Sequence, residues 1–241
     1  LEEAFMGFSG LYGDRLFAFK SSAAPKGFPW FTGREQSEML RYRPWFRDPM
    51  KAQRPTNLAE AERIAPGVTP AFGGSADLMV DVETPSGKML AVDDSALIQL
   101  LTERLGDKHV LTLMRSERSM TDCRPISLFS LQTARRLGEE IGATIDQRRF
   151  RANIYVDLES AGGFGEDAFV GRTLRIGPKA VLSILERDPR CKMITLDAET
   201  GESNPEVLRN VAKAHNGMAG VYGAVIVEGT VRAGDAIEVL N

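Results

Sequence analysis

Apolar residues recur every three or four positions in three segments of the chain, which is the spacing of an amphipathic helix. The first two segments, residues 94–106 and 130–142, begin at a capping aspartate and a capping serine, and each ends at a glycine. The third segment begins at Asn204 followed by Pro205, a capping residue with proline at the first helical position, and it ends near residues 216–217. The pattern therefore predicts three helices.

Short apolar runs bounded by glycine, proline or aspartate predict strands, most clearly in the second half of the chain. Closely spaced strands with turn residues between them are typical of a small barrel or sandwich. The end of the chain, from residue 223, is typical of many small barrels, so it does not by itself indicate a function. The predicted strands are residues 170–176, 180–185, 192–196, 223–227 and 236–240.

The segment of residues 43–74 is rich in arginine and contains five prolines, which predicts a long surface excursion with one short helix near residues 57–64. The change from this first part to the strand-rich second part falls near residue 115. We therefore expect two domains, residues 1–115 and 116–241, in a mainly β protein with helices, an α+β fold.

Composition excludes several classes of protein. With 43% hydrophobic residues, 26% charged residues and a net charge of −3, the chain is typical of an ordinary globular protein, and its charge indicates neither a nucleic-acid partner nor a membrane surface. No apolar run reaches the ~18–20 residues of a membrane span, and Glu2 and Glu3 argue against a secretory signal. Two cysteines are too few for a disulfide framework, so we expect a cytoplasmic protein.

Common catalytic motifs are missing from the sequence. There is no Walker A loop, no G-x-S-x-G and no H-E-x-x-H, and two histidines are too few for a Cys/His zinc site. The G-G-F-G stretch at residues 162–165 lacks the rest of a dinucleotide fingerprint and predicts a loop.

Cys191 is the strongest chemical candidate. It lies between Arg190 and Lys192, and cationic neighbours stabilise a thiolate, which is both the nucleophile and the metal-binding form of cysteine. Pro189 cannot donate to a β-ladder, so we expect a loop that presents the thiol. The alternative is an inert cysteine that packs as a small hydrophobic residue. That alternative is the simpler interpretation of Cys123, which has one acidic and one cationic neighbour.

Three arginine-containing stretches lie far apart in the sequence: G-D-R at residues 13–15, T-G-R-E at 32–35, and R-R-F-R-A-N at 148–153. Arginine offers paired donors to a phosphate, and glycine allows backbone N–H groups to approach it, so these stretches predict an anion pocket if they meet in space. The alternative is that they are separate solvated surface charges.

The order of these motifs resembles that of the MOSC proteins, named for the C-terminal domain of molybdenum cofactor sulfurase. The matching stretches are G-L-Y-G-D-R at residues 10–15, R-F-R-A-N at 149–153, D-P-R-C at 188–191, and T-L-D at 195–197 followed by T-G at 200–201. The resemblance covers nearly the whole chain. It implies a MOSC β-barrel over residues 116–241, packed against an N-terminal β-barrel-like region over residues 1–115, with helices at the edges.

The resemblance also implies a site. Cys191 would be both the molybdenum ligand and the catalytic centre, which suits a soft thiolate among cations. Arg15 matches a phosphate-binding arginine, while Arg151 and Asn153 match residues that contact the pterin, and Arg34 is a weaker match. The full set implied to hold the molybdenum cofactor, a Mo-pyranopterin, is Arg15, Arg34, Asp122, Cys123, Arg124, Arg151, Asn153 and Arg190.

The leading hypothesis is an oxidoreductase that reduces small N-hydroxylated or N-oxide-type substrates, like the amidoxime-reducing component and its bacterial relatives. The chain contains no cysteine cluster for an iron–sulfur centre, so the electrons are expected from a separate protein. The alternative is a sulfur carrier or cofactor-delivery protein, in which Cys191 receives a persulfide from a cysteine desulfurase. A third possibility is a plain anion-binding protein. Family members usually begin with a phosphate-binding Tyr-Pro-x-Lys-Ser-like loop, and this chain starts just after that point, so either the sequence is truncated or the protein lacks part of the cofactor grip. The third possibility gains weight only if the loop is truly absent.

Overall fold

The computed structural model describes residues 1–55, 58, 63, 78–103, 110–116, 118–159 and 161–241. These residues form fifteen strands and four α-helices, so the predicted α+β class with mostly strands is confirmed. The strands are β1 (Glu3–Gly7), β2 (Gly10–Leu11), β3 (Phe17–Ser21), β4 (Trp30–Phe31), β5 (Arg43–Phe46), β6 (Val80–Glu83), β7 (Met89–Ala91), β8 (Leu111–Arg115), β9 (Ile126–Ser130), β10 (Ile154–Val156), β11 (Thr173–Ile176), β12 (Ala180–Pro189), β13 (Met218–Val227), β14 (Gly229–Arg232) and β15 (Ile237–Val239). The helices are α1 (Pro49–Gln53), α2 (Ser95–Thr102), α3 (Leu131–Ile141) and α4 (Pro205–Ala214).

A curled six-stranded sheet organises the second half of the chain, in the order β10-β9-β13-β12-β11-β15. Neighbouring strands are antiparallel except β10 and β9, which are parallel. The pairing of the two long strands β12 and β13 contains three register shifts. Such irregularities increase local twist, so they bend the sheet into a half-barrel. Three-stranded sheets in the orders β14-β1-β2, β4-β3-β8 and β5-β6-β7 complete the fold.

The core of the half-barrel follows the two-residue period of its strands. Leu174, Leu182, Ile184 and Val221 belong to one core and are almost entirely buried. Strand β9 is buried along its whole length because its other face packs against α3 and α4, where Phe129 belongs to a second core. Removing this apolar surface from water is the main force that holds the sheet and helices together.

The first strand of the chain lies against the end of the chain. Glu3 pairs with Arg232 and Met6 with Gly229, which makes β1 the central strand of the β14-β1-β2 sheet. Met6 is fully buried and belongs to the same core as Leu182. The two ends of the chain are therefore stabilised together. The predicted division near residue 115 stays a prediction.

The predicted helix starts are confirmed. The side chains of Asp94, Ser130 and Asn204 each accept a backbone N–H of the first turn at 2.8–3.1 Å. Gly142 has a φ of 66° at the end of α3, a left-handed conformation that glycine adopts without steric cost. The predicted end of the first helix at Gly106 and most of the predicted helix at residues 57–64 lie outside the described residues.

Two predictions around Cys191 are wrong. Residues 192–196 are not a strand: Lys192–Thr195 forms one turn of 3-10 helix, because Ile194 N–H bonds to the Cys191 carbonyl and the local bonds replace ladder bonds. The strand before it does not end ahead of Pro189. It continues through Pro189, which pairs with Met218 at the strand end, where the missing N–H breaks no further ladder bond.

The other four predicted strands are present with shifted ends, and β13 begins well before residue 223. Within the described residues, no helix combines the length and the apolar character needed to cross a bilayer.

We expect Met6→Ala to lower the free energy of unfolding by about 2–4 kcal/mol, since it opens a cavity in the half-barrel core. Urea denaturation followed by circular dichroism measures this change. Met50→Ala is the matched control, because Met50 is 71% exposed and its truncation should change stability by no more than about 0.5 kcal/mol. Equal small effects of the two substitutions would contradict a shared core.

Candidate functional site

Cys191 lies at the junction between β12 and the 3-10 turn. Its thiol is exposed and free, and its backbone is extended, with φ −123° and ψ −175°. The turn is held in place because Arg190 N–H donates to the Gly217 carbonyl at 2.8 Å, just before β13. The fold therefore presents the Cys191 sulfur to solvent on a fixed backbone.

Arg190 is buried directly beside the thiol, with its side chain only 7% exposed. Its guanidinium donates to the Ala219 carbonyl at 2.6 Å and to the Phe150 carbonyl at 2.9 Å, and it forms an ion pair with Asp188 at 2.7 Å. Burial lowers the pKa of Arg190, and the Asp188 carboxylate opposes this effect. The predicted contact of Arg190 with a cofactor stays a prediction; the bonds seen in the structure direct its guanidinium to protein groups. Its geometry is that of a support for the Cys191 turn.

Asp188 is the counter-ion of this buried arginine and is itself only 2% exposed. Burial raises the pKa of Asp188 to about 6, while Arg190 and a hydrogen bond from Tyr222 pull it down. Burial and the nearby carboxylate in turn raise the pKa of Tyr222. Sequence reasoning did not select either residue; for Asp188 the available signal was its place in the D-P-R-C stretch.

In the segment of residues 149–153, some side chains bond to or pack within the protein and others face solvent. Arg149 donates to the Thr195 carbonyl at 2.8 Å and to the Asp197 carboxylate at 3.0 Å, which anchors the 3-10 turn after Cys191. Phe150 is buried and stacks on Phe129, with ring centroids 4.1 Å apart. Two of the three residues of R-F-R therefore hold the turn rather than a ligand.

Arg151 and Arg15 have left-handed backbones, with φ of 51° and 48°. Non-glycine residues in this region cost of order 1–3 kcal/mol and cluster at ligand-binding sites. Arg15 donates to the Arg151 carbonyl at 3.4 Å, so the two side chains are neighbours. The Arg151 guanidinium makes no hydrogen bond or ion pair with any described residue.

The electrostatics of Arg151 favour an anionic ligand. The residue keeps contact with solvent, yet protein atoms crowd its guanidinium. This desolvation, together with the nearby Arg15 cation, lowers the pKa of Arg151. An anion placed between the two guanidinium groups would remove their repulsion and use the unoccupied donors of Arg151.

Asp14 holds Arg15 in place and links it to Asn153. Its carboxylate accepts from Arg15 at 2.5 Å and from the side-chain amide of Asn153 at 3.1 Å. The amide oxygen of Asn153 accepts both the backbone N–H and the hydroxyl of Ser127 at 3.0 Å. Sequence reasoning missed Asp14 and Ser127 as site residues, although Asp14 lies within the G-D-R stretch.

The loop that precedes β9 reaches the same site. The exposed Asp122 carboxylate is close enough to act on the pKa values of Arg151, Asp188 and Tyr222. Cys123 is exposed and free, like Cys191, so no disulfide joins the two thiols. Arg124, by contrast, forms an ion pair with Glu186 at 2.8 Å, which engages its charge within the protein.

Arg34 approaches the site from the N-terminal half of the chain. Its guanidinium lies 4.1 Å from the centre of the Phe28 ring, a cation–π contact. Its carbonyl accepts from the Lys192 ammonium at 2.9 Å, next to Cys191. Most of the predicted residues therefore form one cluster: contacts connect Arg15, Arg151, Asn153 and Arg190, and an electrostatic interaction adds Asp122. Arg34 joins the cluster through Lys192.

Comparison with known proteins gives a family match. A family model described as "MOSC domain" matches residues 115–238. A protein named "Molybdenum cofactor sulfurase" from Drosophila willistoni is 30% identical over 135 residues, which cover 55% of this chain and 16% of that protein. The chain thus spans about a sixth of the length of that curated relative.

Solved structures resemble part of the chain. YiiM from Geobacillus stearothermophilus matches with a TM-score of 0.37 and 16% identity, over 49% of this chain and 55% of that one. The YUAD protein from Bacillus subtilis matches with a TM-score of 0.40 and 21% identity, over 53% of this chain and 66% of that one.

We expect Gly220→Ala to lower the free energy of unfolding by about 2–4 kcal/mol, because it combines left-handed strain with overpacking. Gly220 has a φ of 81°, and an added methyl would lie 2.9 Å from the Arg190 guanidinium and from the Leu128 carbonyl. Gly217→Ala is the matched control: its φ is 76° with nothing within 4 Å, so only the strain of about 1 kcal/mol remains. Thermal denaturation compares the two variants. Equal losses would exclude tight packing around Arg190.

Proposed function

The chain belongs to the MOSC domain family, and from this premise we propose that it binds a molybdenum–pyranopterin cofactor and acts as an oxidoreductase. One observation carries the proposal: the exposed Cys191 directly follows Arg190, which belongs to the same cluster as Arg15 and Arg151, and the Arg151 donors are unoccupied by any described residue. A soft metal ligand and a site for an anionic organic group therefore occur together, as this cofactor requires.

The side chains fit the proposed ligand. A Cys191 thiolate is a suitable soft ligand for molybdenum. Arg151 and Arg15 would hold the phosphate and the polar edge of the pterin through charge-assisted hydrogen bonds. When bound, the cofactor supplies the electron-transfer and oxygen-atom chemistry that protein side chains lack.

The other residues of the set would position the cofactor-binding side chains or form the walls of the pocket. Asp14 and Asn153 would keep the Arg15 side chain aimed at the phosphate, because their hydrogen bonds restrict it. The loop that contains Asp122, Cys123 and Arg124 would form one wall of the pocket, and Arg34 another part of its rim. Arg190 would act indirectly, as the group that fixes the Cys191 turn.

For substrates we propose small N-hydroxylated or N-oxide-type molecules, which could approach the exposed position of Cys191. Electrons would arrive from a separate protein. We also propose the division into residues 1–115 and 116–241 and a cytoplasmic location.

A second candidate function is sulfur carriage or cofactor delivery. The similarity to a protein named molybdenum cofactor sulfurase and the exposure of Cys191 favour it, since a thiol must be accessible to receive a persulfide from a cysteine desulfurase. Mass spectrometry of the isolated protein distinguishes the two functions: a gain of about 32 Da on Cys191, one sulfur atom, supports carriage.

Protein produced in a host that makes the cofactor should contain molybdenum and pterin. Cys191→Ala should lose the metal, by roughly tenfold or more, because it removes the thiolate that we propose as the protein ligand of molybdenum. Elemental analysis measures the metal, and the exposed Met50→Ala variant is the control that should retain it. Wild-type protein without molybdenum would overturn the proposal.

Removal of the Arg151 or Arg15 guanidinium should weaken the binding of the pterin. Arg151→Ala and Arg15→Ala should each lower the bound pterin by roughly tenfold, the effect of one charge-assisted hydrogen bond. Fluorescence of the released, oxidised pterin measures it. Arg175→Ala is a matched control, because Arg175 is exposed and pairs with Glu238 across β11 and β15. If all three variants retained the same pterin content, the arginine pair would not be the anion site.

A further inference from the structure

A titratable cluster lies around the Arg190 guanidinium, and the proposed function does not use it. Asp188 is buried against the Arg190 guanidinium at 2.7 Å and accepts a hydrogen bond from the Tyr222 hydroxyl. Asp122 is the other charged group that acts on Asp188 and Tyr222, and it also acts on Arg151. Asp122 therefore connects the buried carboxyl electrostatically with the exposed Arg151.

We propose that Asp188 sets the charge of the anion site, so that protonation of this carboxyl tightens the binding of tetrahedral oxyanions between Arg15 and Arg151. The inference deepens the proposed function and depends on the same anion site. Asp188 acts through other groups and touches no ligand, so it is a positioning residue.

The geometry of Arg190 makes this effect electrostatic rather than mechanical. Its guanidinium also donates to the carbonyls of Ala219 and Phe150, and it lies 5.4 Å from the centre of the Phe150 ring. Arg190 therefore stays in place when Asp188 becomes neutral. Because Phe150 directly precedes Arg151, this uncompensated positive charge lies next to the anion site.

The sign of the pH dependence follows from the burial of Asp188. Burial raises the pKa of Asp188 to about 6, so the carboxyl is charged at neutral pH and becomes neutral below about pH 6. Tyr155 and Cys191 are the other titratable groups that act on Arg190, and Tyr155 has a pKa raised by burial, so it stays neutral throughout this range. Protonation of Asp188 therefore adds one net positive charge to the cluster as the pH falls, and anions should bind more tightly.

Sulfate is a suitable probe, since its charge is constant across this pH range and it resembles a phosphate group. The whole chain, produced without cofactor, is titrated with sulfate by calorimetry at about pH 5 and about pH 8, on either side of the Asp188 pKa. The wild-type protein should bind sulfate roughly three- to tenfold more tightly at the lower pH, as expected for one added charge near a dianion.

Three variants test whether Asp188 causes the pH dependence of sulfate binding. Asp188→Asn is neutral at every pH, so it should bind sulfate with the tight, low-pH affinity at both values. Tyr222→Phe removes a hydrogen bond that lowers the Asp188 pKa, so it should move the midpoint of the change to higher pH. Asp167→Asn is the matched control: Asp167 also has a raised pKa and an arginine partner, Arg187 at 3.0 Å, and this variant should keep the wild-type pH dependence.

Each outcome decides between the proposals. Loss of the pH dependence in Asp188→Asn, with a shifted midpoint in Tyr222→Phe, supports the inference. Equal wild-type affinity at both pH values, or an unchanged pH dependence in Asp188→Asn, overturns it and leaves the anion site standing. No sulfate binding at either pH would remove the anion site itself, and with it the proposed function. If Asp188→Asn fails to fold, Tyr222→Phe alone decides.

Discussion

The burial of the Arg190 guanidinium is the constraint on which the rest of the site depends. A buried cation is unfavourable unless its donors are satisfied, and here two carbonyls, one carboxylate and two aromatic rings surround it. These partners come from β12, β13, β9 and the segment before β10. The folded structure therefore brings these elements together at one point, and the adjacent residue, Cys191, has a fixed position as a result.

The arginines around the site differ in function because they differ in how far their guanidinium donors bond to protein acceptors. Arg149 and Arg190 each donate to at least two protein acceptors, so they hold the backbone on either side of the thiol. Arg151 shares the same short sequence motif but turns outward through a left-handed backbone and keeps its donors unoccupied within the described part of the chain. Structural stability and ligand binding are thus divided among neighbouring residues of one type, and a charge map of the sequence alone would not separate them.

Local sequence signals were sufficient to predict features that depend on interactions between residues close together in the chain. Helix caps at Asp94, Ser130 and Asn204 were predictable, because capping depends on a side chain and the backbone two or three residues away. The turn after Cys191 was not predictable, because its residues are apolar enough for a strand. Only the local 3-10 hydrogen bonds and the contact with Arg149 in the folded structure show that it is a turn. The exposed position of Cys191 was expected from Pro189, although the strand in fact continues to that proline.

The amino-acid sequence by itself determined the fold class, the caps, the candidate thiol and the motif order that indicates the MOSC family. These features depend on periodicity, composition and short spacings. Only the tertiary structure decided which arginine donors bond to other described residues, that Asp14 joins Arg15 to Asn153, and that Asp188 and Tyr222 lie together beside Arg190. The physical reason is that hydrogen-bond saturation and desolvation arise between residues far apart in the chain, and no local pattern records them.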